Sequence, residues 1–244
     1  TPIDALIADF PIVTFLTEPE KGAAPARNAG VAASSGAILE FIDADCVPDL
    51  DWLSSVRSAA ARADLVGGRV SVFDETSPPR SGAEAFEAVF AFNFKRYIEK
   101  QGFSGAGNLA TTRKVFDAVG PFCNGVSEDT EWTRRAVGMG YRLVYADDLR
   151  VGHPSRQDWP ALREKWRRMT REGFALGGGG AKARLLWAGK ALLMPLSIFA
   201  HLPNLILSPK LSDTGERLRG AATLVRLRLV RMIWMLQQSV GGNI

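Results

Sequence analysis

Ile38-Leu39-Glu40-Phe41-Ile42-Asp43-Ala44-Asp45 is an apolar, β-branched run that stops on two carboxylates. Such a run, followed by Asp-rich punctuation and Pro48, reads as a strand over Ile38 to Ile42. In an extended chain residues i and i+2 share a face, so Asp43 and Asp45 can reach one ligand. In an open α/β sheet ligands bind beyond the carboxyl ends of the strands. The pair therefore suits a hard divalent cation, Mg2+ or Mn2+, which takes few protein carboxylates and fills its shell with water and phosphate oxygens. It equally suits a strand end that opens a turn before Pro48, and the motif alone leaves both readings standing.

The flanking segments alternate in the same manner. Pro11 to Leu16 (PIVTFL), Leu65 to Phe73 and Arg142 to Tyr145 read as further strands. Ala26 to Ser34, Leu50 to Arg62 and Gly82 to Lys100 read as helices, the last a long one. Alternation of this kind predicts an α/β domain with an open, mostly parallel sheet covered by helices on both faces. A hydrophobic share of 46% with 23% charged residues excludes a disordered chain. Cys46 and Cys123 show no metal-ligand spacing and cannot form a disulfide framework, which favours a reducing compartment. The chain opens at Thr1 without a charged-then-apolar leader. The expectation is that it lacks the N-terminal strand or strands of its domain.

Charge divides the chain in two. Residues 1–150 carry a net −6 and residues 151–244 a net +10, an asymmetry that points to an anionic partner for the basic part. The expected organisation is one domain over 1–155 and a basic helical extension over 156–244. In the extension, Trp159 to Phe174 reads as a basic helix and Gly177 to Gly180 as a linker or helix end. Ala191 to Pro209 carries no formal charge, but Pro195, Pro203, His201 and Asn204 interrupt it, so an interfacial or re-entrant segment is expected rather than a straight span. In a final helix over Glu216 to Gln238, Leu218, Ala222, Val225, Leu229, Met232 and Leu236 form one stripe at about 100° per residue. Arg219 and Arg226 border it on one side and Arg217, Arg228 and Arg231 on the other. Such arginines can reach headgroup phosphates while the stripe enters the acyl boundary; a helix packed on its own domain with a solvated basic rim is the alternative. Nucleic acid is not the expected partner, since the arginines border an apolar stripe instead of interleaving with stacking aromatics.

Four other motifs carry possible chemistry, each beside a plainer reading. Ser127-Glu128-Asp129 offers a carboxylate as general base for an acceptor hydroxyl, or a capped helix N-terminus. Gly105-Ala106-Gly107-Asn108 allows close approach of the backbone to a ligand, or makes a turn. Arg27, in Ala26-Arg27-Asn28-Ala29-Gly30, can meet a nucleotide's phosphates or base, or lie on the surface. His153 is a metal or phosphate ligand, or a loop histidine.

Taken in order, these pieces resemble the family-2 glycosyltransferases, which use the nucleotide-diphospho-sugar transferase fold called GT-A. The resemblance runs from about residue 10 to residue 153. It rests on Ala26-Arg27-Asn28-Ala29-Gly30, on Phe41 to Pro48 with Trp52-Leu53, and on Gly105-Ala106-Gly107-Asn108. Val119-Gly120-Pro121-Phe122, Glu128-Asp129 with Arg134, Gly140-Tyr141-Arg142-Leu143 and Val151-Gly152-His153 complete it. The resemblance implies a GT-A-like sheet and a nucleotide-diphospho-sugar donor, with Asp43, Arg27, Asn28, Gly107 and Asn108 on the donor side. It implies Asp45, Asp43 and His153 as metal residues, Asp129 as the base, Glu128 shaping the acceptor site, and one inverting displacement.

The opening strand and helix of that family have no counterpart before Pro11, and Pro25 stands where a small hydroxyl residue is common. Glu164-Lys165-Trp166-Arg167-Arg168 matches the acceptor-binding string of processive synthases only faintly, which favours single transfer. With the basic tail, the expected acceptor is a lipid-linked or cell-envelope hydroxyl, and the expected location the cytoplasmic face of an anionic membrane. A sugar-phosphate nucleotidylyltransferase and a non-catalytic membrane-peripheral scaffold are the competing readings.

Overall fold

A computed structural model describes residues 10–244. Five strands form one sheet: β1 (Ile38–Ile42), β2 (Val47–Pro48), β3 (Leu65–Phe73), β4 (Asn108–Thr112) and β5 (Leu143–Pro154), in the order β1-β4-β3-β5-β2. Ten helices accompany them among the described residues. They are α1 (Ala23–Ala33), α2 (Trp52–Ala60), α3 (Gly82–Phe90), α4 (Phe94–Gln101), α5 (Arg113–Val119) and α6 (Glu128–Gly138), then α7 (Trp159–Ala175), α8 (Ala181–Leu192), α9 (Leu196–Ile206) and α10 (Thr214–Ser239).

The α/β expectation is met and the helices cover both faces. Leu65 and Val66, successive and fully buried in β3, point to opposite sides. Leu65 joins Val31, Phe41, Phe116 and Trp132 beneath α1, α5 and α6, whereas Val66 joins Val56 and Ala59 beneath α2. The sheet is mixed, however, and not mostly parallel. Among the described residues only β3–β5 is a parallel pair, while β4 runs antiparallel to both β1 and β3, and β2 antiparallel to β5. Helices between strands permit either direction of return. Here α3 packs on the C-terminal helices instead of bridging β3 to a parallel neighbour.

Two further expectations are corrected. Pro11 to Leu16 forms no strand, and Ile12, Val13, Phe15 and Leu16 are exposed. A strand needs a neighbour to take its N–H and C=O groups, and this segment has none among the described residues. The long helix over 82–100 is two helices. Phe92 adopts a left-handed backbone (φ 46°), and the Asn93 side chain accepts the Arg96 N–H at 3.1 Å to start α4 anew.

The C-terminal helices are not a separate layer. Ala83 and Phe86 of α3 share a core with Leu162 of α7 and with Leu224 and Leu227 of α10. Arg80 bridges Asp74 (2.6 Å) and Glu216 (3.5 Å) at the same seam. The stripe on α10 faces outward: Leu218 is 66% exposed and Leu229 41%, whereas Leu224, Leu227 and Met235 turn inward.

Candidate active site

Three segments distant in sequence meet at one guanidinium. Helix α1 buries Ala24 and Val31 against the sheet, which leaves Arg27 at the edge where β1 ends. Arg27 donates to Asp43 at 2.7 Å and also to Glu128 at the start of α6. Its own burial would favour the neutral form, but the two carboxylates outweigh that, and its pKa ends above the ordinary value.

Asp129 lies beside this bridge. The capping reading does not apply to Ser127, whose side chain makes no cap bond. Asp129 instead accepts the Thr130 N–H at 2.6 Å and the Ala106 N–H at 3.3 Å. Burial, helped by the charge of Glu128, lifts its carboxyl above the usual range, against the pull of those N–H groups and Arg27. A further carboxylate, Glu172 on α7, senses both Glu128 and Asp129. Burial pushes it up to about 6, with Arg168 at 3.7 Å opposing.

Gly105-Ala106-Gly107 threads between these acids. A Cβ at Gly107 would sit 2.9 Å from Asp43 Oδ2, and one at Gly105 only 2.6 Å from the Phe94 ring and 3.4 Å from Asp129 Oδ2. Glycine is required here because the main chain touches the carboxylates directly. The two asparagines of the neighbouring motifs face inward. Asn108 is fully buried; its amide donates to Arg69 O (3.0 Å) and Leu149 O (2.9 Å) and accepts from Trp52 Nε1 (3.2 Å). Asn28 exchanges two 2.9 Å bonds with the backbone of Phe122. Both brace the walls of the site.

On the far side, Val47 pairs with Gly152, and this register brings the loop after β1 against the end of β5. His153 Nε2 lies 3.4 Å from Asp45 Oδ2, with Arg156 at 3.9 Å. The other ring nitrogen, Nδ1, faces Pro154 O at 2.7 Å. A carbonyl can only accept, so Nδ1 carries the proton and Nε2 keeps a lone pair toward Asp45. Burial depresses the His153 pKa and favours that neutral ring. Ligand atoms of Asp43, Asp45 and Cys46 lie within 4.8 Å of one another. Burial and both aspartates push the Cys46 thiol up to about 11 in the metal-free chain, and a hard cation prefers the carboxylate oxygens to sulfur. The donor set thus fits Mg2+ or Mn2+.

Sequence reasoning missed Glu172, Phe92 and Lys165. Phe92 packs on His153 with ring centroids 4.6 Å apart, and Lys165 sits over Phe92 at 4.6 Å while pairing with buried Glu87. Asn93, a cap in mid-helix, was the available signal for the chain break that aims Phe92; nothing local marked Glu172 among the charges of α7.

Comparisons with known proteins identify related chains. The profile of Glycosyl transferase family 2 matches residues 1–122. Glycosyltransferase AglE of Haloferax volcanii is 35% identical over 159 residues, 63% of this chain and 51% of that protein. The chain therefore spans about half the length of that relative. Among solved structures, mannosyltransferase PcManGT from Pyrobaculum calidifontis, in complex with GDP-Man and Mn2+, is similar at a TM-score of 0.49 and 16% identity, over 98% of this chain and 59% of that one.

Proposed function

Because this chain belongs to Glycosyl transferase family 2, we propose that it moves a sugar from a nucleotide-diphospho-sugar to a hydroxyl acceptor, inverting the anomeric carbon. The observation that carries the proposal is the Arg27 bridge, which joins the donor-side carboxylate Asp43 to the acceptor-side Glu128-Asp129 pair. Asp129 takes the acceptor's hydroxyl proton. The freed oxygen bonds to the anomeric carbon while the bond to the diphosphate breaks on the opposite face. An elevated carboxyl pKa makes Asp129 a stronger base once ionised. Asp45 and His153, beside Asp43, would hold the divalent cation, which offsets charge on the departing diphosphate. Arg27 fixes Asp43 and lines the nucleotide side.

The test is turnover of a panel of UDP- and GDP-sugars by the purified protein with Mg2+ or Mn2+. Asp129→Asn should cut transfer by about 100-fold or more and leave nucleoside diphosphate binding intact. Consumption of a nucleoside triphosphate without sugar transfer would support a nucleotidylyltransferase instead. A protein that neither binds nor turns over would be a scaffold.

We propose further that the C-terminal helices lie on the cytoplasmic face of an anionic membrane and serve a lipid-linked or cell-envelope acceptor. Leu192, Leu196, Phe199, Leu207, Leu218 and Leu229 are exposed along α8 to α10, an unusual amount of apolar surface for one end of a chain. No single helix among the described residues is long and apolar enough to cross a membrane; α8 and α9 together reach that length and composition but meet at a bend of 53°. Phe199→Glu with Leu218→Glu should release the protein from anionic vesicles, and high salt should weaken attachment of the unaltered chain. Unchanged partitioning would overturn this reading.

A further inference from the structure

The seam between α7 and α10 holds hydrogen-bond donors with nothing to accept from them. Trp166 Nε1 and Arg228 Nε are buried and have no partner among the described residues. Arg231 follows Arg228 by one turn and so shares its side of α10. Its guanidinium lies over the Trp166 ring at 4.4 Å, with a long 3.4 Å contact from Nε to Thr170 Oγ1. That hydroxyl already donates to Trp166 O at 2.7 Å.

Among the described residues, neither arginine forms an ion pair with a carboxylate. Burial alone lowers the Arg228 pKa, and burial with the like charge of Arg228 lowers Arg231 to about 10. The chain does not treat its other buried cations this way. Arg27 has Asp43 and Glu128, Arg80 has Asp74 and Glu216, and Lys165 has Glu87. Trp166 Nε1 and Arg228 Nε lack an acceptor, Arg231 has only Thr170 Oγ1, and neither arginine pairs with a carboxylate among the described residues; burying such donors is costly unless an anion completes them.

We propose that Trp166, Arg228 and Arg231 form a phosphate-binding site between α7 and α10, taking a phosphomonoester or diphosphate from a lipid headgroup or from a soluble phosphate compound. Phosphate matches the donors: it brings up to two charges and several acceptor oxygens, and guanidinium forks bind it bidentately. Leu229 and Ile233, the exposed neighbours on α10, set the seam at the margin of the apolar face. The site does not depend on the sugar-transfer reading, since neither Asp129 nor Asp45 takes part.

The test uses three probes on the intact protein: inorganic phosphate, pyrophosphate, and phosphatidylcholine vesicles with and without phosphatidic acid. Thermal unfolding at matched ionic strength reads the first two, and flotation the third. Arg228→Gln and Arg231→Gln should each weaken the response roughly tenfold, as should Trp166→Phe, which keeps the ring and loses the N–H. Without ligand Trp166→Phe and Arg228→Gln should unfold no lower than the unaltered protein, because each removes an unpaired buried donor. Arg57→Gln, an equal loss of charge at an exposed site on α2, should change little. Stabilisation by the soluble probes supports a soluble source, and capture only by phosphatidic acid supports a headgroup. The proposal is overturned if the unaltered protein responds to none of the probes, or if the three variants respond as it does. Should Arg231→Gln fail to fold, Trp166→Phe and Arg231→Lys decide the matter.

Discussion

The backbone N–H of Ala106 donates to Asp129 Oδ2 at 3.3 Å across 23 residues of chain. This bond fastens the candidate base to the glycine loop whose other end touches Asp43. Asp43 and Asp129 are therefore both held against one short stretch of main chain.

The acid limb of the pH–rate profile should lie above the ordinary aspartate value of about 4. Asp129 must be ionised to accept a proton, and burial with the charge of Glu128 raises its pKa. Activity should rise with pH through that elevated value. Glu128→Gln removes a raising influence and should move the limb to lower pH; Arg27→Met removes a lowering one and should move it higher. Shifts in the reverse directions would remove Asp129 from the role of base.

Gly107→Ala should damage donor binding more than the fold. The new Cβ would stand 2.9 Å from Asp43 Oδ2, a contact that can be relieved by swinging the half-exposed carboxylate aside. The expected outcome is a donor KM raised roughly tenfold with little change in the unfolding midpoint. A large loss of stability with unchanged KM would contradict it.

Asn108→Ala should behave in the opposite way. It strips partners from Arg69 O in β3, Leu149 O in β5 and the Trp52 indole on α2. The expected loss is about 2–3 kcal/mol in denaturant unfolding, with donor KM nearly unchanged in the folded fraction.

Glu40 offers a stability switch independent of activity. Both carboxylate oxygens are buried without partners among the described residues, and burial pushes the pKa from 4.5 to about 9. A carboxyl whose folded pKa is raised contributes fully below its unfolded pKa, and that contribution is lost as pH rises toward the folded value. Glu40→Leu should therefore raise the unfolding midpoint by about 4 °C or more near pH 8 and change it little near pH 4. Equal effects at both pH values would show that Glu40 is ionised in the folded chain.

Much of the fold was legible because its signals are local. The runs over Ile38 to Ile42 and Leu65 to Phe73 carry strand periodicity in their own residues and were bounded correctly. The basic and final helices likewise carry their own 3.6-residue pattern. Strand direction was not legible, since alternation of helix and strand does not encode which way β4 returns. Nor was the fate of Pro11 to Leu16: its apolar, β-branched composition suits a strand, but a ladder requires a neighbour that composition does not supply. The break at Phe92 lay between, marked only by Asn93.

The sequence by itself singled out the candidate site residues Arg27, Asp43, Asp45, Glu128, Asp129 and His153, with glycines that allow a backbone close to a ligand. It also determined the division of charge between the two parts of the chain. Only the tertiary structure decided that Arg27 joins Asp43 to Glu128 and that Asn28 and Asn108 brace the walls. It alone placed Glu172 within the field of Asp129, and left Arg228 and Arg231 without an acid among the described residues. The physical reason is range. Strand and helix patterns arise from neighbours a few residues apart, whereas burial and the pairing of charges depend on which distant segments share a space from which water is excluded.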